Sequence, residues 1–457
     1  MAGTTNIRYA TDYQLDSLSL ISSLQNGAVN MLPFMVELNL FEDIYSSTIS
    51  GELVVSDALG LISNFRMNGT EFLQVTLRKS TGDEHPIQRN YRIYKITNRT
   101  TNENNAYEIY TINFCSEEFL LAEQYRVSKA FKGTEISTII EKILTNYVKV
   151  GIKGTKPINI EKTRGVYDFI LPNKKLFETI NWLSTYALPE NGEGADMLFF
   201  ENRDGYYFKS LQTLYTLQPY QTYKFDPKNI SKELDQQVSN VFNFEVLDFF
   251  DTLSGIANGT FANRLISINP LTRSYKLDND FNYAKYFNKT VSLNDSPAIN
   301  DYQNRYGKTL YDSPPPELEV GTLRMSPENT DMKKNPFISQ KIGSADTIAN
   351  DINIRKYMPN RVAQIALANY TRIKITVAGD ASLTVGKTIK FIAFGMNGTL
   401  EREHDPTYSG NYLITAVRHI IKNNSYITVL EMANDSVRVP YASHNAKNLQ
   451  KYVDGKI

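Results

Sequence analysis

The sequence predicts a mainly β chain with a small α+β module set between two strand-rich regions. Three observations carry this. Tyrosine (29) and phenylalanine (23) are abundant, and aromatic residues favour pleated, half-buried surfaces over long helices. Segments of strict apolar–polar alternation recur near both ends of the 457 residues, the period of a sheet with one buried face. The two clearest stretches of helical period both lie in the middle. The length suits two to four domains of ordinary size.

From the N-terminus, Phe34, Val36, Leu38 and Leu40 share one face and Glu37 and Asn39 the other, and Ser50-Gly51 punctuates before Leu53 and Val55. This predicts a long hairpin. Asp57 to Phe65 is a short helical pattern with Asp57 as its cap, and Gly69 to Leu77 alternates again. Tyr91 to Thr97 and Tyr107 to Cys115 flank the polar tip Asn98 to Asn105, a second hairpin. The same grammar returns in Gly386 to Phe391, Tyr412 to Val417 and Asn423 to Val429, with Arg361 to Asn369 filling the helix slot before the strand Ile373 to Val377. Phe242 to Phe250, followed by Asn258-Gly259-Thr260-Phe261, stands where the opening hairpin stood. The expectation is two copies of one strand-rich unit, the second split by an insertion.

Between them, Ile136, Ile139, Ile140, Ile143 and Leu144 form one stripe of a helix over Thr134 to Tyr147. Asn173 caps a second helix with Leu176, Ile180 and Leu183 inward. Met197 to Phe200 and Tyr206 to Ser210 flank Asn202-Arg203-Asp204-Gly205, a hairpin turn. Asn269 to Gln340, with Ser313-Pro314-Pro315-Pro316, reads as extended loop, and loops of that length serve a partner. The polar residues after Val439 read as an arm that orders in a complex.

Composition excludes several classes. Lys plus Arg (49) equal Asp plus Glu (49), so no net positive field draws the molecule onto a polyanion. The single Cys115 rules out an intrachain disulfide framework and a Cys-built zinc site, and fits a reducing cytosol. Residues 1 to 30 lack the basic start and apolar core of a secretory signal. No run of about 18 apolar residues offers a membrane span. The four histidines, His85, His404, His419 and His444, lie at no metal-binding spacing. Glu401 to Asp405, beside Pro406, reads as a solvated loop in preference to an acid–base pair. There is no G-x-S-x-G elbow and no phosphate-cradling G-x-x-x-x-G-K. Neither a catalytic residue nor a cofactor or metal site is expected.

Several phrases together resemble the central hubs of contractile phage tail baseplates, related to the hub part of type VI secretion spikes. They are Lys374 to Asp380 followed by Leu383-Thr384-Val385-Gly386, then Gly410 to His419, with Phe169 to Asn173 and Phe199 to Tyr206 in the middle. The match spans most of residues 30 to 440. The resemblance implies two tail-tube-like β-barrel domains plus a small α+β domain and a loop-rich insertion. The expected boundaries are 1–122 for the first barrel, 123–232 for the middle domain, and 233–268 with 355–436 for the split second barrel. The insertion is then 269–354 and the C-terminal tail 437–457.

The resemblance also implies a homotrimer that joins a threefold central spike to the sixfold tail tube or its initiator proteins, inside the surrounding wedge proteins. DNA would meet it only in transit, through a neutral or acidic channel, with no membrane insertion. It would reside in the virion after assembly in the host bacterial cytoplasm. The tips Asp43-Ile44-Tyr45 and Asp251-Thr252-Leu253 are the expected ring or tube contacts. A chain that stops soon after the second unit favours a separate spike over the fused spike of many secretion hubs. The alternative from another class is a tail-associated cell-wall hydrolase using Glu178 with Asp196 or Asp204.

Overall fold

The computed structural model describes residues 11, 13–22, 27–65, 67–79, 87–101, 107–191, 196–226, 238–269, 274–283, 287, 289–297, 323–327, 354–394, 405, 407–422 and 425–438. Thirteen strands build one large sheet. Those of the first unit are β1 (Tyr13–Ile21), β2 (Ala28–Asn30), β3 (Met35–Asp43), β4 (Ser50–Asp57), β5 (Phe72–Lys79), β6 (Ile87–Thr101) and β7 (Glu108–Ser116). Those of the second are β8 (Thr222–Phe225), β9 (Val241–Phe249), β10 (Thr371–Ala378), β11 (Thr388–Ala393), β12 (Gly410–Lys422) and β13 (Ser425–Asn434). The helices are α1 (Leu61–Asn64), α2 (Glu117–Gln124), α3 (Ile136–Ile143), α4 (Leu176–Ser184), α5 (Leu211–Tyr215), α6 (Thr252–Asn258) and α7 (Ile354–Ala368).

The two units share one topology. The first runs β3-β4-β7-β6-β5 and the second β9-β10-β13-β12-β11, with every neighbour antiparallel. Two irregularities correspond as well, while the shifts at Thr97/Thr100 of β6–β7 and Val246/Asp248 of β9–β10 belong to one unit each. The β6–β7 register shifts between Ile93 and Lys95, and the β12–β13 register between Ile414 and Ala416. The β3–β4 register shifts between Met35 and Glu37, and β9–β10 between Val241 and Asn243. Ile93 N–H donates to the Glu71 carbonyl at 3.2 Å just before β5, as Ile414 N–H donates to Lys387 at 2.9 Å just before β11. Bulges re-aim strands at fixed positions, so agreement in both order and bulges makes these copies of one unit.

This corrects the sequence alignment of the units. The partner of β9 is β10, and not the strand near Phe261, so the insertion sits in the turn of the opening hairpin. Ala262–Asn269 pairs instead with Ser274–Asn282 and Leu323–Pro327 in a separate three-stranded sheet. Alternation alone cannot distinguish two strands that satisfy one period. Helix α7 precedes β10, whereas α1 follows β4, so the two do not occupy one slot. Part of the segment read as loop, Asn269 to Gln340, is therefore strand; Ser313 to Pro316 and the arm after Val439 lie outside the described residues.

The middle module forms as its periodicity requires. Ile136, Ile139, Ile140 and Ile143 of α3 are all fully buried, and Leu144–Val148 continues them in a π turn. They pack with Leu176, Ile180 and Leu183 of α4 and with Phe199, Tyr206 and Phe208 of the hairpin Met197–Asn202/Gly205–Ser210. Asn202 Oδ1 accepts from Asp204 N–H at 2.9 Å and closes the turn. Helix α4 starts two residues later than the cap assignment implied: its N-cap is Lys175, and Asn173 stands in the left-handed region at φ 50°, which asparagine tolerates. Likewise Asp57 lies ahead of the first turn of α1, where its carboxylate accepts from Leu59 and Leu61 N–H at 2.8 and 2.6 Å.

Gly51 of β4 lies opposite Phe114 of β7, and a Cβ there would meet the Phe114 ring at 2.3 Å and the Asn39 carbonyl at 2.6 Å. The ring fills the space that a side chain would need. Gly51→Val is expected to lower stability by about 2–3 kcal/mol through overpacking, read from the urea midpoint at unchanged m-value.

Candidate assembly interface

The first and second units meet strand to strand inside one chain. Ala416–Lys422 of β12 pairs antiparallel with Asp43–Glu37 of β3, immediately beyond the stretch Gly410–Leu413 that pairs with β11. Ile44 N–H extends the ladder by donating to the Thr415 carbonyl at 2.9 Å. On the outer face Arg418 donates to Asn39 Oδ1 at 3.0 Å, and Lys422 to Glu37 at 2.8 Å. On the inner face Glu42 is buried, and its Oε2 accepts from Val385 N–H at 3.2 Å and from the Thr384 hydroxyl. Burial pushes the Glu42 carboxyl up to about 7 against the pull of those two donors.

The middle module locks this joint from the side. Glu201 is fully buried; it accepts from Ile49 N–H and Ser116 Oγ at 2.9 Å each, and from Lys156 Nζ at 2.6 Å. Lys156 also reaches Glu118 at 2.6 Å. Burial raises the Glu201 carboxyl while Lys156 lowers it. Arg203 donates to the Ala381 carbonyl, Asn202 Nδ2 to the Val385 carbonyl at 3.2 Å, and Arg89 to the Arg203 carbonyl. Four side chains of the module thus bind backbone or carboxylates of both units.

Two equivalent edges remain open. Among the described residues β9 pairs only with β10, and Lys95–Thr101 of β6 has β7 on one side and no strand on the other. Val246 and Ile96 on these edges are half-buried, whereas their counterparts at the closed joint, Leu40 and Val417, are 2% exposed.

The residues singled out in the sequence divide accordingly. Ile44 is fully buried in the core of the second unit, so its contact is within its own chain and not with a partner. Tyr45 is exposed and its hydroxyl accepts from Asn369 Nδ2 at 3.0 Å, while Asp43 accepts from Tyr45 N–H at 2.7 Å. Asp251 is no hairpin tip: it caps α6, accepting from Ser254 N–H at 2.9 Å, which lowers its carboxyl. Thr252 opens that helix, and Leu253 on it is 81% exposed. The exposed Phe250, Tyr94 and Phe242 were not singled out, although the aromatic run from Phe242 to Phe250 was a signal for the two phenylalanines.

The hydrolase carboxylates do not converge. Glu178 is paired on the surface with Lys174 at 2.5 Å, which lowers it, and Asp204 lies beside Arg203. Asp196 is buried and pushed up to about 7 by burial, in a cavity of about 30 Å³ that neither Glu178 nor Asp204 lines. His419 is buried between Tyr426 and Thr428, and burial lowers it to about 4. His85, His404, His444 and Glu401 to Glu403 lie outside the described residues. Among the described residues no metal-sized group of His, Cys, Asp and Glu occurs, and no helix is long and apolar enough to cross a membrane.

No protein-family model matches the chain. A curated relative, the "Probable baseplate hub protein gp334" of Vibrio phage KVP40, is 22% identical over 432 residues, 92% of each chain. The chain resembles a phage baseplate hub. Its fold is that of phage tail proteins as well. The 43 kDa tail protein of prophage MuSo2 from Shewanella oneidensis superposes with a TM-score of 0.51 at 7% identity, covering 92% of this chain and 98% of that one. The tail protein from Neisseria meningitidis MC58 gives 0.50 at 10%, covering 92% and 96%. These relatives are named as baseplate hub and tail proteins.

Lys156→Met leaves Glu201 buried without its cation and is expected to cost about 3 kcal/mol at pH 8, a loss that shrinks as falling pH protonates the carboxyl. Thermal melts at pH 8 and pH 5 read both effects. Glu42 has a folded pKa near 7, above its unfolded value of 4.5, so the native state binds the extra proton between these values and stability falls as pH rises through that window. Glu42→Gln keeps the acceptor and removes the titration. Relative to the variant, the wild type is expected to lose stability from pH 5 to pH 8, measured by urea midpoints.

Proposed function

We propose that the chain is the central hub of a contractile-tail baseplate: a homotrimeric ring that joins a threefold spike to a sixfold tube and leaves a channel for DNA. The observation that carries this reading is the shared five-strand order, with its matching bulges, in two units of one chain. A threefold ring of such chains presents six like units, so one face meets a trimer and the other a hexamer without a symmetry clash. The partners are then the spike, the tube or its initiator, and the wedge proteins, all in the virion, with assembly in the host cytoplasm.

On the hub reading the outer face of the sheet lines the channel, and its charge suits passage of DNA without retention. Cations on the outer face of the second unit and its joint are matched by carboxylates: Arg372 by Asp248 and Glu431, Lys374 by Glu245, Lys422 and Arg418 by Glu37. Neutralised cations release few counterions and hold a phosphate backbone weakly.

A hydrolase would draw on one observation, the raised Asp196 carboxyl. A cavity of about 30 Å³ admits a water molecule and no glycan, and a glycosidase needs a second carboxyl across an open cleft. In mass photometry the purified chain, alone or with its spike, is expected at three times 52.0 kDa. Electron cryomicroscopy should show six lobes around an opening. A monomer under all conditions, or turnover of purified peptidoglycan, rejects the hub reading.

A further inference from the structure

Resting on the ring reading, we infer how the ring closes: β9 of one copy adds to the open edge of β6 in the next copy, repeating between chains the β3–β12 joint already made within each. The template is fully specified. β12 carries β11 along its first part, bulges at Thr415, and then accepts β3 on the same edge. β6 carries β5 along its first part, bulges at Tyr94, and then presents that edge unfilled among the described residues. β9 occupies in the second unit the place of β3 in the first, and its outer edge is open in the same sense. Each chain therefore exposes one donor edge and one acceptor edge, both the counterparts of strands that satisfy each other internally. Unpaired sheet edges invite strand addition. A donor and acceptor on opposite units give a head-to-tail contact, which yields a closed ring when the rotation closes.

The counterparts fix a register. Val417 lies opposite Glu42 and Arg418 opposite Phe41 in the template. Carried across by the shared bulges and cross-strand partners, Ile96 comes opposite Phe249 and Thr97 opposite Asp248. The register rests on the strands and not on charge, because Arg99, Glu245 and Asp248 are already paired within the chain with Glu108, Lys374 and Arg372. Phe250 and Leu253, which follow β9, are exposed apolar side chains that a neighbouring copy would cover.

The test is disulfide trapping in the full chain, whose one native thiol, Cys115, is buried. Thr97→Cys combined with Asp248→Cys, and separately Lys95→Cys with Phe250→Cys, probe the joint between copies; Arg418→Cys with Phe41→Cys is the control within a chain. Oxidation is expected to give covalent trimers on non-reducing gels for either probe pair and an intrachain bridge for the control. A trimer by mass that forms the control bridge but no interchain bridge overturns this joint and leaves the ring standing. A monomer even beside the spike overturns both. Independently, Phe250→Asp with Leu253→Asp is expected to shift the trimer to monomer by at least tenfold in dissociation constant with an unchanged melting temperature of the monomer; an unaffected trimer counts against the inference.

Discussion

The pairing of β3 with β12 is the contact on which the rest of the architecture depends. It turns two similar units into one sheet. Glu42 comes from one strand of the joint, and its donors Thr384 and Val385 come from the loop that opens the other unit's β11. A carboxyl held there at a raised pKa is tolerable because the alternative, an unpaired Val385 N–H in the interior, costs as much. The cores interlock as a result: Ile44 belongs to the core of the second unit, and Ile421 and Tyr426 to that of the first.

The middle module serves as the wedge that keeps the two units at a fixed angle. Its Glu201–Lys156 pair is buried, and buried pairs contribute little net stability against an apolar alternative. They do discriminate strongly between seated and displaced arrangements, because a displaced module would leave a charge without a partner. Glu201 binds the backbone at Ile49, just before β4, and the side chain of Ser116 at the end of β7, while Asn202 and Arg203, the next two residues, hold the second unit. One hairpin thus reads both units at once.

Carrying both units on one chain makes the joint between β3 and β12 intramolecular, so it forms at the high effective concentration of tethered segments. The insertion between β9 and β10 lies in the turn of the duplicated hairpin, where it disturbs no strand of the sheet.

The sequence by itself determined the local elements. The isoleucine stripe of α3, the Asn202 to Gly205 turn and the alternation of β3, β6 and β12 follow from periods of 3.6 and 2 and from turn chemistry, which act over a few residues. The existence of two like units was also legible, because their strands carry matching patterns. Only the tertiary structure decided which strand completes the second hairpin, since Ala262–Asn269 and β10 both satisfy the alternation and lie far apart in sequence. It alone placed Ile44 inside the core of the second unit and left Phe250 exposed. Burial of Glu42 and Glu201 was likewise invisible, because a carboxylate in a strand or hairpin looks solvated until segments about 150 to 340 residues away close over it.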